Sequence, residues 1–234
     1  MHQSISNIHQ RRRGRYMKIK AVIWDLDGTL LNTLDALAAS TNAALAANGL
    51  PERTTDEVRC FVGNGVHKLI ERAMPELGDQ HPKFQQTLDA FVAHYGVHSK
   101  DQTRPYDGIM AVLDVLSGWG IKHAIVSNKV DFAVKELSRE YFPGRMCSSV
   151  GDDPSRRKKP APDSVWEAMR QMGVTAEEAV YIGDSDVDVI TARNAGIPCI
   201  AVTWGFRGED CLVEAGAEHV AHEPAEIAPI VKGL

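Results

Sequence analysis

Ile19-Lys20-Ala21-Val22-Ile23-Trp24-Asp25-Leu26-Asp27-Gly28-Thr29-Leu30-Leu31-Asn32-Thr33 is the stretch on which the fold turns. The apolar run Ile19–Trp24 reads as a short β-strand that stops at Asp25. Side chains two apart on a strand share a face, so Asp25 and Asp27 point the same way. Paired carboxylates at a strand end suit a hard divalent cation, and one of them can attack while the other moves a proton. Gly28 permits the sharp turn that must follow. An ordinary strand-to-helix turn capped by Asp or Thr would use the same residues, so this cluster alone does not decide.

Working outward, strand-like and helical patterns alternate. After the quoted stretch, Leu34, Leu37, Ala38, Thr41 and Leu45 share a helical face. Further helices follow to about Thr103, with stripes Val62-Val66-Leu69-Ile70-Ala73 and Leu88-Phe91-Val92-Tyr95, and no convincing strand. Beyond Pro105, Ile109, Val112, Leu113 and Leu116 mark a helix that Gly118 and Gly120 end. Ile121–Val126 is a strand stopping at Ser127-Asn128, and a helix carrying Val130, Ala133, Val134 and Leu137 comes next. A short apolar segment at 146–150 precedes a helix over 163–172. Ala179–Ile182 and Ile197–Val202 are strands that end at Gly183-Asp184 and Thr203-Trp204, and a weak one lies at 219–221. Strands linked through helices imply a doubly wound parallel α/β sheet. Ligands bind such sheets beyond the carboxyl ends of the strands, which gathers Asp25-Asp27, Ser127-Asn128 and Gly183-Asp184-Ser185 on one edge.

Composition narrows the partners. The chain has 234 residues, with 26 Lys and Arg against 31 Asp and Glu, a net charge of -5. No concentrated positive field exists to hold nucleic acid or an anionic membrane. No run approaches the ~18 apolar residues of a membrane helix. Cys60, Cys147, Cys199 and Cys211 are scattered without metal-like spacing and read as reduced thiols of a cytoplasmic protein. Residues 1–16 are polar, contain Arg11, Arg12, Arg13 and Arg15, and lack the apolar region of a signal peptide. They are expected to form a disordered extension upstream of a start at Met17.

Four clusters then fall into a known order. Asp25–Thr33 resembles the first motif, DxDGTLxxS/T, of the haloacid-dehalogenase-like phosphohydrolases. Ser127-Asn128-Lys129 is similar to the second, Lys159-Pro160-Ala161-Pro162 to the third, and Gly183-Asp184-Ser185-Asp186-Val187-Asp188 to the fourth. The resemblance implies a Rossmann-like core over 17–32 and 103–234 with a helical cap over 33–102. It also implies roles: Asp25 as the nucleophile that forms an aspartyl-phosphate, and Asp27 as general acid and then base. Lys159 neutralises charge on Asp25 and on the phosphoryl group. Ser127, the Asn128 amide, Gly28 and Thr29 hold phosphate oxygens. Mg²⁺ is held by Asp184, an oxygen of Asp25 and the backbone carbonyl of Asp27, while Asp188 supports metal-bound water or Lys159. Asp186 is expected outside the ligand set, and His67, His94, His98 and His123 have no ligand-like partners. Gly63-Asn64-Gly65 resembles a substrate-facing cap loop, and a glycine-flanked turn is the equal alternative.

Within the family, Asp27 disfavours a dehalogenase, and Gly183 before Asp184 disfavours a sugar-phosphate mutase. Lys68 is only a formal candidate for a phosphonatase lysine. Tyr106-Asp107-Gly108, Ser127-Asn128-Lys129 and Trp204-Gly205-Phe206 bring the resemblance nearest to phosphoglycolate phosphatases. The implied activity is hydrolysis of a small phosphorylated metabolite. A mutase and a non-catalytic phosphate-binding module are the alternatives, and a monomer and a homodimer are equally compatible.

Overall fold

The structure, a computed structural model, describes residues 19–234, so the extension expected over 1–16 lies outside the described residues. Strand β1 (Ala21–Trp24) leads through the brief strand β2 (Leu31–Asn32) into helices α1 (Leu34–Ala47), α2 (Thr55–Phe61), α3 (Val66–Ala73) and α4 (Phe84–His98). Strand β3 (Arg104–Pro105) returns antiparallel beside β2. The chain continues through α5 (Ile109–Gly118), β4 (Lys122–Val130), α6 (Asp131–Tyr141), β5 (Ser148–Asp152) and α7 (Asp163–Met172). It closes with β6 (Ala179–Gly183), α8 (Asp186–Ala195), β7 (Cys199–Val202), α9 (Glu209–Glu214), β8 (His219–Ala221) and α10 (Ile227–Gly233).

Six strands form one parallel sheet in the order β5-β4-β1-β6-β7-β8, the doubly wound α/β architecture expected from the alternation. Strand β1 lies at its centre. Val22 and Trp24 pack with α5, α6 and α10, while Ala21 and Ile23 pack with α7 and α8. Both faces are covered, which is why β1 reads as a continuous apolar run rather than an alternating one. Trp24 meets its polar requirement inside this core by donating its indole N–H to His123 Nδ1 at 3.2 Å. Burial pushes the His123 pKa down to about 4, so the ring is a neutral core group.

The helices between β2 and β3 have an apolar core of their own, built from Leu34, Leu37, Leu45, Val58, Leu69, Ile70, Phe84 and Phe91. Thr54 caps α2 reciprocally with Glu57, a start signal that periodicity alone did not reveal. The β2–β3 ribbon, also unforeseen, ties the outgoing and returning chains together at the root of this insertion.

Strand β4 runs further than expected. It continues through Ser127 and Asn128 to Val130, with its register on β5 broken between Val126 and Val130. Two features explain the extension. Val130 resumes pairing opposite Asp152. Gly151 lets the chain at Asp131 come close, since a Cβ there would stand 2.4 Å from Asp131 Cα, and its N–H donates to Asp131 Oδ1 at 3.0 Å. Irregularities of this kind re-aim side chains, here those of Ser127 and Asn128 at the carboxyl edge.

Candidate active site

Strand β1 delivers Asp25 to the carboxyl edge, flanked by β4 on one side and β6 on the other. Chain order reverses here, from the β4–β5 half to the β6–β7–β8 half. Such a switch point is where an open α/β sheet forms a crevice. Asp184 follows the end of β6. Ser185 caps α8 and accepts the Asp188 N–H, while Asp188 Oδ2 accepts the Ser185 hydroxyl at 2.5 Å and its N–H at 3.1 Å. The Ser-x-x-Asp capping box therefore fixes the position of Asp188.

Lys159 enters from the loop between β5 and α7 and is almost wholly buried. Its ammonium donates to Asp25 Oδ1 at 2.7 Å, to Asp188 Oδ1 at 2.8 Å and to the Tyr181 hydroxyl at 3.1 Å. The Val126 carbonyl, at 3.4 Å, is a fourth and longer contact. Asn128 clasps the Lys159 backbone: its Oδ1 accepts the Lys159 N–H at 2.9 Å and its Nδ2 donates to the Lys159 carbonyl at 3.2 Å. The Asn128 side chain is thus a brace for Lys159. Ser127 Oγ accepts the Lys129 N–H at 3.2 Å and keeps its own proton for another acceptor.

Asp184 is gripped on both oxygens. Thr29 Oγ1 donates to Oδ1 at 3.0 Å, and the Phe206 N–H donates to Oδ2 at 2.7 Å. Glycine is required where the backbone closes on this carboxylate. A Cβ at Gly28, whose φ is +91°, would lie 2.4 Å from Asp184 Oδ2, and one at Gly205 would lie 2.3 Å from it. Trp204 steadies the same turn by donating its indole N–H to the Thr29 carbonyl at 3.1 Å. The Thr29 side chain is fully buried against Asp184, so its hydroxyl braces that carboxylate.

Oxygens of Asp25, Asp184 and Asp188 lie within 4.8 Å of one another, all buried. The Lys159 ammonium touches two of these three carboxylates, Asp25 and Asp188. Burial, with the negative charge of Asp188, pushes the Asp184 pKa up to about 7, and the same two causes raise Asp25. Burial alone would lower Lys159, but Asp188 and Asp25 outweigh it and hold the ammonium protonated. The site is short of positive charge, and its oxygen donors are those that a hard divalent cation takes. These carboxylates could hold such a cation. The Asp27 carboxylate stands apart from the cluster. Its Oδ2 lies 3.2 Å from Lys129 Nζ, and its Oδ1 is buried without a hydrogen-bond partner among the described residues.

Lys129, Tyr95 and Tyr181 escaped the sequence reading as site residues. Tyr95, on α4, accepts from Lys129 Nζ at 2.9 Å, and its ring centroid lies 4.7 Å from the same ammonium. Lys129 follows Ser127-Asn128 directly, which is the one signal that could have found it. Burial alone would lower its pKa, but Asp27 and Tyr95 turn the net shift upward, so it is a cation. A cavity of about 200 Å³ opens over these groups. Asp25, Asp27, Lys129, Lys159 and Asp184 line its floor, and the insertion supplies Leu37, Val62, Gly63, Gly65, Leu69 and Phe91. Asp186 stays outside and faces Arg207 at 3.7 Å.

Residues 22–202 match the sequence pattern of the family described as haloacid dehalogenase-like hydrolase. The chain belongs to this family. The hydrolase is 32% identical over 219 residues to a phosphoglycolate phosphatase of Thiobacillus denitrificans, a match covering 92% of this chain and 96% of that one. It is 32% identical over 217 residues to an N-acetylmuramic acid 6-phosphate phosphatase of Pseudomonas aeruginosa, again covering 92% and 96%. A crystal structure from Lactobacillus delbrueckii subsp. bulgaricus superposes with a TM-score of 0.89 at 33% identity, covering 93% of this chain and all of that one. The hydrolase lies in the phosphoglycolate-phosphatase-like branch and is a phosphoric monoester hydrolase. None of its described helices is long and apolar enough to cross a membrane.

Proposed function

We propose that the chain is a Mg²⁺-dependent phosphatase that hydrolyses a small-molecule phosphate monoester, phosphoglycolate or a similar compact phosphate, through an aspartyl-phosphate on Asp25. The observation that carries the reading is Lys159, buried between Asp25 at 2.7 Å and Asp188 at 2.8 Å on the floor of a cavity roofed by the helical insertion. An ammonium in that place holds Asp25 oriented and offsets charge on an incoming phosphoryl group. Asp25, Asp184 and the Asp27 carbonyl would hold the cation, with Asp188 supporting Lys159. When bound, the cation offsets the repulsion between carboxylate and phosphate dianion.

A carboxylate oxygen of Asp25 attacks phosphorus, and the bond to the ester oxygen breaks. Asp27, whose Oδ1 has no partner among the described residues, gives that oxygen a proton, and the alcohol leaves. Asp27 then takes a proton from water, which attacks the phosphorus and breaks its bond to Asp25. Inorganic phosphate departs and both carboxyl groups return to their first state. Ser127, with its free proton, and the Asn128 amide serve the phosphate oxygens, while the Gly28 turn brings the backbone close. Walls of Leu37, Val62, Leu69 and Phe91 exclude bulk water.

Turnover of p-nitrophenyl phosphate with Mg²⁺, by the wild-type chain and by Asp25→Asn, tests the reading. Loss of the nucleophile is expected to lower kcat on the order of 10⁴-fold or more, and chelating the metal is expected to stop the wild type. Turnover by Asp25→Asn at the wild-type rate removes the nucleophile assignment.

A further inference from the structure

A second cavity, of about 370 Å³, opens between α6, β5 and α7 and shares no lining residue with the catalytic one. Lys135, Ser138 and Arg139 reach it from one face of α6, at spacings of three and four, while Val134 and Leu137 face the core. The edge strand β5 supplies Ser148 and Ser149, and Arg156 enters from the loop that goes on to Lys159. The acids of the cleft are Asp131 and Glu167, and each has a cation of its own. Asp131 lies 2.6 Å from Lys135, and Glu167 accepts from Arg170 Nε at 2.8 Å and Nη2 at 2.7 Å.

Arg139 and Arg156 are therefore in surplus. Arg139 makes no hydrogen bond or ion pair among the described residues; Glu136, one turn back, is held instead by Lys100 at 2.6 Å. Arg156 reaches the Gly151 carbonyl only at 3.5 Å and Asp131 Oδ1 at 4.0 Å, and its Nε is buried with no partner among the described residues. Ser138 is 7% exposed, and its Oγ accepts the Ser149 hydroxyl at 2.8 Å, which leaves its own proton for another acceptor. Water would answer these donors but not the surplus of charge; an anion answers both. The donors come from a helix face and from a loop, so they meet an occupant from different directions. That suits a tetrahedral oxyanion better than a planar carboxylate, and guanidinium groups bind phosphate oxygens in pairs.

We propose that this cleft is a second anion site, apart from the catalytic cavity, that takes the phosphate group of a small molecule through Arg139, Arg156 and Ser138. A dianion offsets both guanidinium charges and gives Arg156 Nε and the Ser138 hydroxyl their acceptors. The cleft is larger than the catalytic cavity and leaves room beside Cys147 and Gln171 for an organic substituent. Free phosphate and a phosphorylated metabolite are thus the two sources of the same chemistry.

Equilibrium dialysis of the full chain against radiolabelled inorganic phosphate tests the site. The wild type is expected to hold one more phosphate per chain than Arg139→Gln, with Mg²⁺ present or chelated, because the catalytic cavity is the same in both. Arg156→Gln is expected to weaken that site about tenfold or more, the factor of a hydrogen bond to a charged group. Turnover of p-nitrophenyl phosphate should stay at the wild-type level in both variants, since neither residue lines the catalytic cavity. Equal phosphate binding by wild type and variants overturns the proposal, as does a wild type that takes no phosphate when Mg²⁺ is chelated. Should Arg156→Gln not fold, Arg139→Gln, at an exposed position of α6, decides. Competition separates the sources: sn-glycerol 3-phosphate that displaces the label at lower concentration than unlabelled phosphate identifies a phosphorylated metabolite, and at higher concentration the free ion. Acetate that displaces it as well as phosphate does would show a pool of positive charge without selectivity, and overturns the assigned ligand class.

Discussion

Around Lys159 each polar contact is buried and shared, whereas the helices of residues 34–98 cohere through apolar packing and meet the core through a few separate polar links. Asp25, Asp188 and Tyr181 all converge on one ammonium, and Asp188 is in turn bound by Ser185. On the other side, Leu45, Val58, Ile70 and Phe91 fill the insertion, and Phe206 is the core residue that joins them. Its links to the core include the Lys129–Tyr95 bond, the Asn128–Gly63 contact at 3.5 Å, the Arg207 contacts and the β2–β3 ribbon. The contrast follows from the chemistry. Phosphoryl transfer needs charges held in place before the substrate arrives, while a roof over the site needs only a shape that excludes water. Removing one group should therefore hurt the first region through neighbours left unpaired, and the second only through the contact itself.

Lys159→Met breaks the charged region most severely. It leaves Asp25 and Asp188 buried without their cation, and removing one partner of a buried ion pair costs about 3–5 kcal/mol. Urea unfolding of the metal-free variant should show a midpoint lowered to match, with activity lost. An unchanged midpoint would mean that the network contributes to catalysis alone.

The shortage of positive charge predicts a pH signature. An acid whose pKa is higher in the folded than in the unfolded state favours folding only while it is protonated. Asp184, pushed up to about 7, therefore costs the metal-free protein stability as pH rises from about 4 to about 7. That cost reaches at most ~4 kcal/mol. If Mg²⁺ binds the ionised carboxylates as proposed, it offsets that cost, so the rise in Tm on adding Mg²⁺ should be larger at pH 8 than at pH 5. Equal rises at the two pH values would contradict the assigned charge state.

The same contrast governs what the sequence disclosed. Ile19–Trp24 announced a covered strand because both of its faces are buried, and Asp25, Asp27, Lys159 and Asp184 stood out because their neighbours carry the motifs. Asp188 was legible in position, yet its hold on Lys159 depends on the α8 cap and on Tyr181, which reads in sequence as one more apolar strand residue. Tyr95 and Lys129 meet 34 positions apart. Helical spacing marks Tyr95 only as a member of a packing stripe, and nothing local says that its hydroxyl turns toward a lysine. The β2–β3 ribbon holds two residues in each strand, too few for any periodicity. Val130 looked like the start of a helix because its pairing with Asp152 is a tertiary fact.

Arg207 gives the mildest test, at the seam itself. It donates to the carbonyls of Arg59 at 3.0 Å and Val62 at 2.5 Å, both at the carboxyl end of α2. A guanidinium there satisfies carbonyls that the helix leaves open and suits the negative end of its dipole. The same loop carries Phe206, whose N–H holds Asp184 and whose ring enters the insertion core, so Arg207 fixes the insertion to the residue that positions an aspartate. Arg207→Ala frees two carbonyls near the surface, where water replaces the lost donors, and the expected loss of stability is only about 1–2 kcal/mol. Because Asp25, Lys159 and Asp188 are untouched, kcat should stay within about twofold. KM should rise several-fold, since the roof that closes on the substrate is less firmly seated. A fall in kcat with KM unchanged would show instead that the Phe206–Asp184 contact moved, and that the two regions are less separable than their packing implies.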